Sequence, residues 1–252
     1  NNLAFVIAVV LVLAISLWGF FLPEQFAAVA GTVFSVLTGN FGWLYTLSMA
    51  LFVGFAVWIG FFSKYKNMRL GPDDSRPEYS NTVWFAMLFS AGMGIGLVFW
   101  SVAEPMNFFA APLGAEAGTP AAAKFAFTKA FLHWGIHPWA NYTVMALALA
   151  YMQFRRGNSA LISSLFTPLI GRKGADGPVG KLIDVLALLA TAGGVCTTLG
   201  LGVMQLNSGM NYLLGIPLTP ALVIGTVVVL TVIYVLTAVA GVEKGSALVS
   251  NA

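Results

Sequence analysis

Ser90-Ala91-Gly92-Met93-Gly94-Ile95-Gly96-Leu97-Val98-Phe99-Trp100 lies inside a long uncharged segment and carries three glycines, at 92, 94 and 96. An uncharged run of this length belongs at membrane depth. Each glycine costs about 1 kcal/mol of helix stability relative to alanine. A helix weakened in this way is either shaped for close contact with a neighbour or interrupted so that its backbone faces a ligand. On the glycines alone, close contact is the commoner explanation.

The rest of the chain places this stretch in a membrane. Of 252 residues, 59% are hydrophobic and only 8% charged, against roughly 25% charged in a soluble domain. No soluble fold keeps so much apolar surface from water, so an integral membrane protein is expected. The single cysteine, Cys196, rules out an internal disulfide, and a net charge of +3 is too small to suggest nucleic acid. With no initiator methionine and no polar tail, the sequence reads as a piece of a longer polypeptide.

Working outward, six apolar spans are expected. Residues 3–22 are uncharged and long enough for a hydrocarbon core of about 30 Å. Residues 31–40 read as a loop. Residues 41–63 form the second span, with Trp43, Tyr45 and Trp58 near its ends, as an aromatic belt requires. A solvated loop follows, holding Lys64, Lys66, Arg69 and Arg76 against Asp73, Asp74 and Glu78. The third span, 81–103, contains the glycine stretch and ends at Glu104-Pro105, which places Glu104 near the outer interface. The fourth, 121–154, would be about 50 Å long as one helix, so it must tilt or project. Arg155, Arg156, Arg172, Lys173 and Lys181 mark a basic connection, with a short amphipathic helix over 161–170. No charge occurs from 185 to 242, too long a run for one crossing. Asn211-Tyr212 and Pro217-Leu218-Thr219-Pro220 divide it into a fifth span, 182–210, and a sixth, 221–240. The basic loops after spans two and four are expected to be cytoplasmic, and with them both chain ends.

Chemistry concentrates in the fourth and fifth spans. His133 and His137 are four apart, a metal-binding spacing on a helix, but no glutamate lies between them and no third ligand is near. Trp139 and Tyr142 share a helix face, and Trp134 precedes them. Pro138 has no N–H, so the carbonyl of Trp134 loses its helical partner and a kink is expected there. Such a kink could swing Trp134 toward the other two rings. A quaternary ammonium has no hydrogen to donate, yet the faces of Trp and Tyr can hold it. The bland alternative is that these rings simply pack. In the fifth span, the hydroxyls of Thr191, Thr197 and Thr198 could coordinate Na⁺ or bond back to the helix. Asp184 is expected to be a terminal charge that favours its own helix dipole.

Gly92-Met93-Gly94-Ile95-Gly96-Leu97-Val98-Phe99-Trp100 with Glu104-Pro105 resembles the glycine-rich helix of the betaine/carnitine/choline transporter (BCCT) family. His133-Trp134-Gly135-Ile136-His137-Pro138-Trp139-Ala140-Asn141-Tyr142 resembles the family's next helix, and Thr198-Leu199-Gly200-Leu201-Gly202-Val203-Met204-Gln205 the one after. Gly241-Val242-Glu243-Lys244-Gly245, with Leu248, Ser250 and Asn251, resembles the segment after its sixth span. Four motifs in order across the chain make the resemblance specific, and it corresponds to the N-terminal half of the family.

The resemblance implies an all-α integral membrane protein, the first half of a LeuT-like five-plus-five inverted-repeat transporter with six transmembrane helices here. Two peripheral transmembrane helices would occupy 1–63 and a cytoplasmic loop 64–80. The partial first repeat would occupy 81–252, with a glycine-rich substrate helix 81–104, an aromatic helix 121–154, and helices 182–210 and 221–240. Freed backbone at Ala91, Gly92, Met93 and Gly94 would face a substrate carboxylate. Trp134, Trp139 and Tyr142 would form one wall of an aromatic box, and Phe99 would help close the outer gate. Backbone oxygens of Ser90 and Met93 would contribute to one Na⁺ site. Thr191 matches the first hydroxyl of a second site, but Val195 stands where the other is expected, and Thr198 offers a hydroxyl one turn further.

The function implied is sodium-coupled import of a quaternary-ammonium solute, glycine betaine first, as in osmoprotection. Na⁺ is the coupling ion, and no resident cofactor, catalytic residue or enzyme activity is expected. The lipid bilayer is the surrounding partner, a homotrimer is an assembly the resemblance admits, and nucleic acid is not expected. A proton-coupled or sodium-independent exchanger of choline or carnitine is the alternative within the family, although the glycine stretch holds no acidic residue that would favour proton coupling. Outside this class, a non-transporting membrane scaffold remains.

Overall fold

The computed structural model describes residues 2–92 and 94–239. Met93 and the motif over 241–251 lie outside the described residues. The described residues form helices and the turns that connect them, with no strand among them. In chain order the helices are α1 (Asn2–Phe21), α2 (Pro23–Val57), α3 (Asn81–Gly92), α4 (Ile95–Ala110), α5 (Pro120–Trp134), α6 (Ile136–Ala150), α7 (Thr167–Asp176), α8 (Pro178–Leu214) and α9 (Pro220–Val239). A π-helical turn, Trp58–Phe62, extends α2, and another, Tyr151–Arg155, follows α6. A 3₁₀ turn, Ile162–Phe166, precedes α7.

Among the described residues four helices are long and apolar enough to cross a membrane: α1, α2 with its π turn, α8 and α9. The apolar stretches expected as spans three and four are instead pairs of shorter helices, α3/α4 and α5/α6. The chain is thus a multi-pass membrane protein by its helices.

Helix ends follow from local chemistry. Thr119 precedes Pro120, and its hydroxyl accepts a hydrogen bond from the Ala122 N–H at 3.2 Å. Thr219 precedes Pro220 and does the same for Leu222 at 3.2 Å. Threonine satisfies an orphan donor of the first turn, and proline at the first helical position has no N–H to satisfy. α8 stops at Gly215, whose φ of 68° suits glycine. There Asn211 Nδ2 donates to the Ile216 carbonyl at 2.8 Å, closing the turn.

The loop expected over 31–40 does not form. These residues continue α2, which runs for 40 residues with its π turn. Its polar side chains turn back onto the helix: Thr32 Oγ1 donates to Ala28 O at 2.9 Å, Thr38 Oγ1 to Phe34 O at 2.8 Å, and Asn40 Nδ2 to Val36 O at 2.8 Å. Each donor is satisfied within the helix, so a polar segment with two glycines costs little at membrane depth. The break falls earlier, at Leu22, with φ −132° and ψ 58°. Trp18 clasps that elbow, edge-on to Phe26 and bonded through its indole N–H to Gln25 Oε1.

The described chain divides into two compact units, one of residues 1–75 with 131–193, the other of 76–130 with 194 onward. In the first unit, α2 lies along α6. Ala4 and Ala8, one turn apart on α1, are buried with Val185 of α8, and Leu189 packs against them. Small residues at this spacing let the two helices approach closely. Arg155 ties the end of the aromatic segment to the loop after α2, donating to Gly71 O at 3.0 Å and Asp73 Oδ1 at 2.7 Å.

Asp184 is not the terminal helix charge expected. It lies in the second turn of α8, where its own helix dipole has largely decayed, and it is only 4% exposed. Its carboxylate accepts from Ser163 N–H at 2.9 Å and Ser163 Oγ at 3.0 Å. The partner is the start of the 3₁₀ turn, another helix's positive end. The amphipathic segment expected over 161–170 is this 3₁₀ turn and the beginning of α7.

In the second unit, Phe108 of α4 meets Phe125 of α5 edge-on at 5.7 Å. Asn207 of α8, 2% exposed, accepts from Thr226 Oγ1 of α9 at 2.9 Å. The same hydroxyl lies 2.9 Å from Leu222 O, and Asn207 Nδ2 has no partner among the described residues. Hydrogen bonds between membrane helices are worth about 0.6 kcal/mol on average. Asn207→Leu is therefore expected to lose no more than about 1 kcal/mol, because the lost bond is offset by removing a buried unpaired donor. The apparent unfolding midpoint of the full-length protein checks this, and a much larger loss would mean that the amide has a further partner.

Candidate functional site

The glycine stretch is a true interruption. α3 ends at Gly92 and α4 begins at Ile95. Gly94 is extended, with φ −67° and ψ 174°, and no side chain caps the new helix. Its carbonyl accepts from Leu97 N–H at 3.0 Å and Val98 N–H at 3.3 Å. A helix start at this point leaves first-turn N–H groups without intrahelical acceptors and a partial positive charge. Ser90 and Ala91 are in α3, and their side chains lie outside the described set, as does the whole of Met93. Phe99, half-buried in α4, meets Trp100 edge-on at 5.1 Å.

The second interruption falls at Gly135, between α5 and α6. The Gly135 N–H still donates to Phe131 O at 2.9 Å, completing α5. Its φ of −85° and ψ of −137° then turn the chain out of the helix. A Cβ added at Gly135 would fall on the Phe131 carbonyl oxygen, so this junction accepts only glycine without movement. The break separates His133 from His137, which therefore do not share one helix face. Among the described residues no group of three His, Cys, Asp or Glu is placed to hold a metal.

Trp134 and Trp139 flank the break and line one groove of about 380 Å³, closed on its other side by Val53, Ala56 and Val57 of α2. Trp139 is 47% exposed, and its ring lies 6.0 Å from that of Tyr142, tilted by 44°. Tyr142 is 69% exposed and does not line the groove. The carbonyl of Trp134, which Pro138 cannot serve, accepts instead from the indole Nε1–H of Trp139 at 3.2 Å. Sequence reasoning anticipated the free carbonyl but not the side chain that takes it, nor the part played by Gly135.

The fifth-span hydroxyls all fall on α8. Thr191 Oγ1 donates to Ala187 O at 2.8 Å. That donation uses its only hydrogen and leaves its lone pairs available. Val195 and Thr198 follow on the same helix, both exposed. Glu104 is half-buried within α4 rather than at a helix end.

Interrupted apolar helices of this kind recur in membrane transporters. The profile of BCCT, the betaine/carnitine/choline family transporters, matches residues 3–252, and the chain belongs to that family. It is 48% identical over 251 residues to a "Probable glycine betaine transporter" of Desulfitobacterium hafniense, covering 100% of this chain and 50% of the relative. It is 44% identical over 249 residues to the glycine betaine transporter OpuD of Bacillus subtilis, covering 98% and 48%. To the ectoine/hydroxyectoine transporter of Virgibacillus pantothenticus it is 38% identical over 253 residues, covering 100% and 50%. The chain spans about half the length of these curated relatives.

Proposed function

We propose that this chain is the first half of a sodium-coupled importer of quaternary-ammonium osmolytes, with glycine betaine as the principal substrate. The observation that carries the proposal is the presentation of Trp134 and Trp139 on one groove beside the Tyr142 ring, in a chain whose relatives include proteins named as glycine betaine transporters. A trimethylammonium group offers no N–H, and ring faces are the side-chain surface that attracts it. The α4 start at Gly94 supplies first-turn amides of the kind that suit a carboxylate.

On this reading the protein has a LeuT-like fold and six crossings here, two of them the interrupted pairs α3/α4 and α5/α6. Both ends of the chain are cytoplasmic. Transport proceeds by alternating access, and a homotrimer is the assembly. Sodium uses backbone oxygens near Ser90 and Met93, and the hydroxyl of Thr191. Thr198 is seven residues further along α8, about 10 Å of helix rise, so it serves a different ion or none.

The test is uptake of labelled glycine betaine, choline, carnitine and ectoine by the full-length protein, with Na⁺ and with K⁺ in its place. Betaine uptake that requires Na⁺ is expected. Uptake driven by a proton gradient alone would select the proton-coupled alternative, and ectoine taken up in preference to betaine would overturn the substrate. Trp139→Ala should weaken betaine binding about 5- to 30-fold, the equivalent of about 1–2 kcal/mol for a desolvated cation–π face. Binding to the purified full-length variant, measured by calorimetry, checks it.

A further inference from the structure

We propose that Ala56 of α2 sets the size of the onium group that the groove accepts, so that a helix outside the aromatic segment determines specificity. The proposal rests on the betaine-binding reading above and adds the wall opposite Trp134 and Trp139 to it. Val53, Ala56 and Val57 stand at i, i+3 and i+4 and share one face of α2. Trp139, Ala140 and Thr143 share a face of α6, and the two helices pack along each other. Both faces line the groove. Packed side chains normally interdigitate and leave few voids larger than a water molecule. Here a groove of about 380 Å³ remains between them, because the side chains at its centre are short. Gly135 has none, and Ala56 and Ala140 each offer one methyl. Ala140 is buried, and a Cβ at Gly135 would meet the Phe131 carbonyl oxygen. Ala56, half-buried on the facing helix, is therefore where the sequence can widen or narrow the groove.

The lining also states which head group suits it. Among the described residues that line the groove none is charged, and Thr143 is the sole polar side chain besides the two tryptophans. Thr143 Oγ1 donates its hydrogen to Trp139 O at 2.7 Å, so it presents only lone pairs. A primary ammonium brings three N–H donors, and those left buried without a partner are costly. A fully methylated nitrogen has none to leave. Its fit is decided by the distance between the rings and α2. The aliphatic side chains of α2 meet the methyl groups and keep water out, which strengthens the attraction of the cation to the ring faces.

The experiment measures KM for labelled glycine betaine, and the inhibition constant of dimethylglycine, one methyl smaller at nitrogen, as its competitor. It uses the full-length protein and its variants Ala56→Leu, Gly54→Leu and Trp139→Ala. Ala56→Leu is expected to raise KM for glycine betaine about 10-fold but the constant for dimethylglycine less than about 3-fold, in line with the cost of a one-methylene misfit in an apolar pocket. A general disturbance of α2 would raise both alike, so the ratio of the two constants is the readout. Gly54→Leu places the same side chain two residues away, outside the groove and with nothing within 4 Å of the added Cβ. It should leave both constants at the parent's. An unchanged ratio in Ala56→Leu, or the same change of ratio in Gly54→Leu, would overturn the proposal. So would a parent protein that dimethylglycine does not inhibit, because a gap bounded by Ala56 admits the smaller head. Trp139→Ala separates the two levels: if its KM for glycine betaine is unchanged, the aromatic wall falls and the sizing role with it. If its KM rises while Ala56→Leu keeps the parent's ratio, the wall stands and α2 is no part of the site. Should Ala56→Leu fail to reach the membrane, Ala56→Val narrows the same place by less and is judged by the same ratio.

Discussion

Asp184→Ala is expected to destabilise the full-length protein by about 2–3 kcal/mol. The carboxylate is 4% exposed and accepts two hydrogen bonds from Ser163, itself 4% exposed. Hydrogen bonds to a charged group contribute about 1.5–3 kcal/mol, and a buried donor left without a partner costs about 1–3 kcal/mol. Alanine removes both bonds and leaves the Ser163 N–H with neither water nor protein to accept it. The consequence is local as well as global, since this pair fastens the 3₁₀ turn, and α7 behind it, to α8. The apparent unfolding midpoint should fall. Trypsin should also cut sooner after Arg172 and Lys173, both exposed in α7. Asp184→Asn should retain about half of the stability, because its amide can accept from the backbone N–H and donate to the hydroxyl. Ser163→Ala, which leaves the backbone bond intact, should cost about 1 kcal/mol. Parent-like stability and cleavage in Asp184→Ala would show that the pair does not fasten the segment.

That role could not be read from the sequence. With the span read as starting at 182, Asp184 looks like a first-turn charge, and nothing in its neighbourhood points to a serine 21 residues earlier. The apolar runs and the break at Pro217-Leu218-Thr219-Pro220 were legible, because each rests on the chemistry of a few adjacent residues, whereas Asn211-Tyr212, read as part of that break, lie inside α8, which runs on to Leu214. The glycines of this stretch were legible as a choice between close helix contact and an interruption, and the helix is interrupted there, α3 ending at Gly92 and α4 beginning at Ile95. The continuity of α2 was misread, because Thr32, Thr38 and Asn40 look like loop residues until their side chains are seen bonding back to the helix. Pro138 announced a free carbonyl at Trp134. What captures that carbonyl depends on a torsion of Trp139, and residue identities carry no record of it. Gly135 was passed over because a single glycine in an apolar run has many uses. Only the path of the backbone shows that its missing Cβ is where the Phe131 carbonyl lies.

Gly135→Ala should therefore be the most damaging small substitution near the groove, at the upper end of the roughly 1–3 kcal/mol typical of overpacking. Its new methyl meets a backbone oxygen rather than the far end of a side chain. No change of rotamer relieves that contact. α5 and α6 must shift relative to each other, and the Gly135 N–H to Phe131 bond at 2.9 Å is strained or lost. Trp134 and Trp139 stand on either side of the junction, so their rings move with it. Uptake should fall together with stability. Gly54→Ala is the control within the same unit: it lies in α2, with nothing within 4 Å of the added Cβ. There alanine should be neutral or stabilise the helix by up to about 1 kcal/mol. If Gly135→Ala behaves like Gly54→Ala in both unfolding midpoint and betaine uptake, the helix break is not what holds the two tryptophans on one groove.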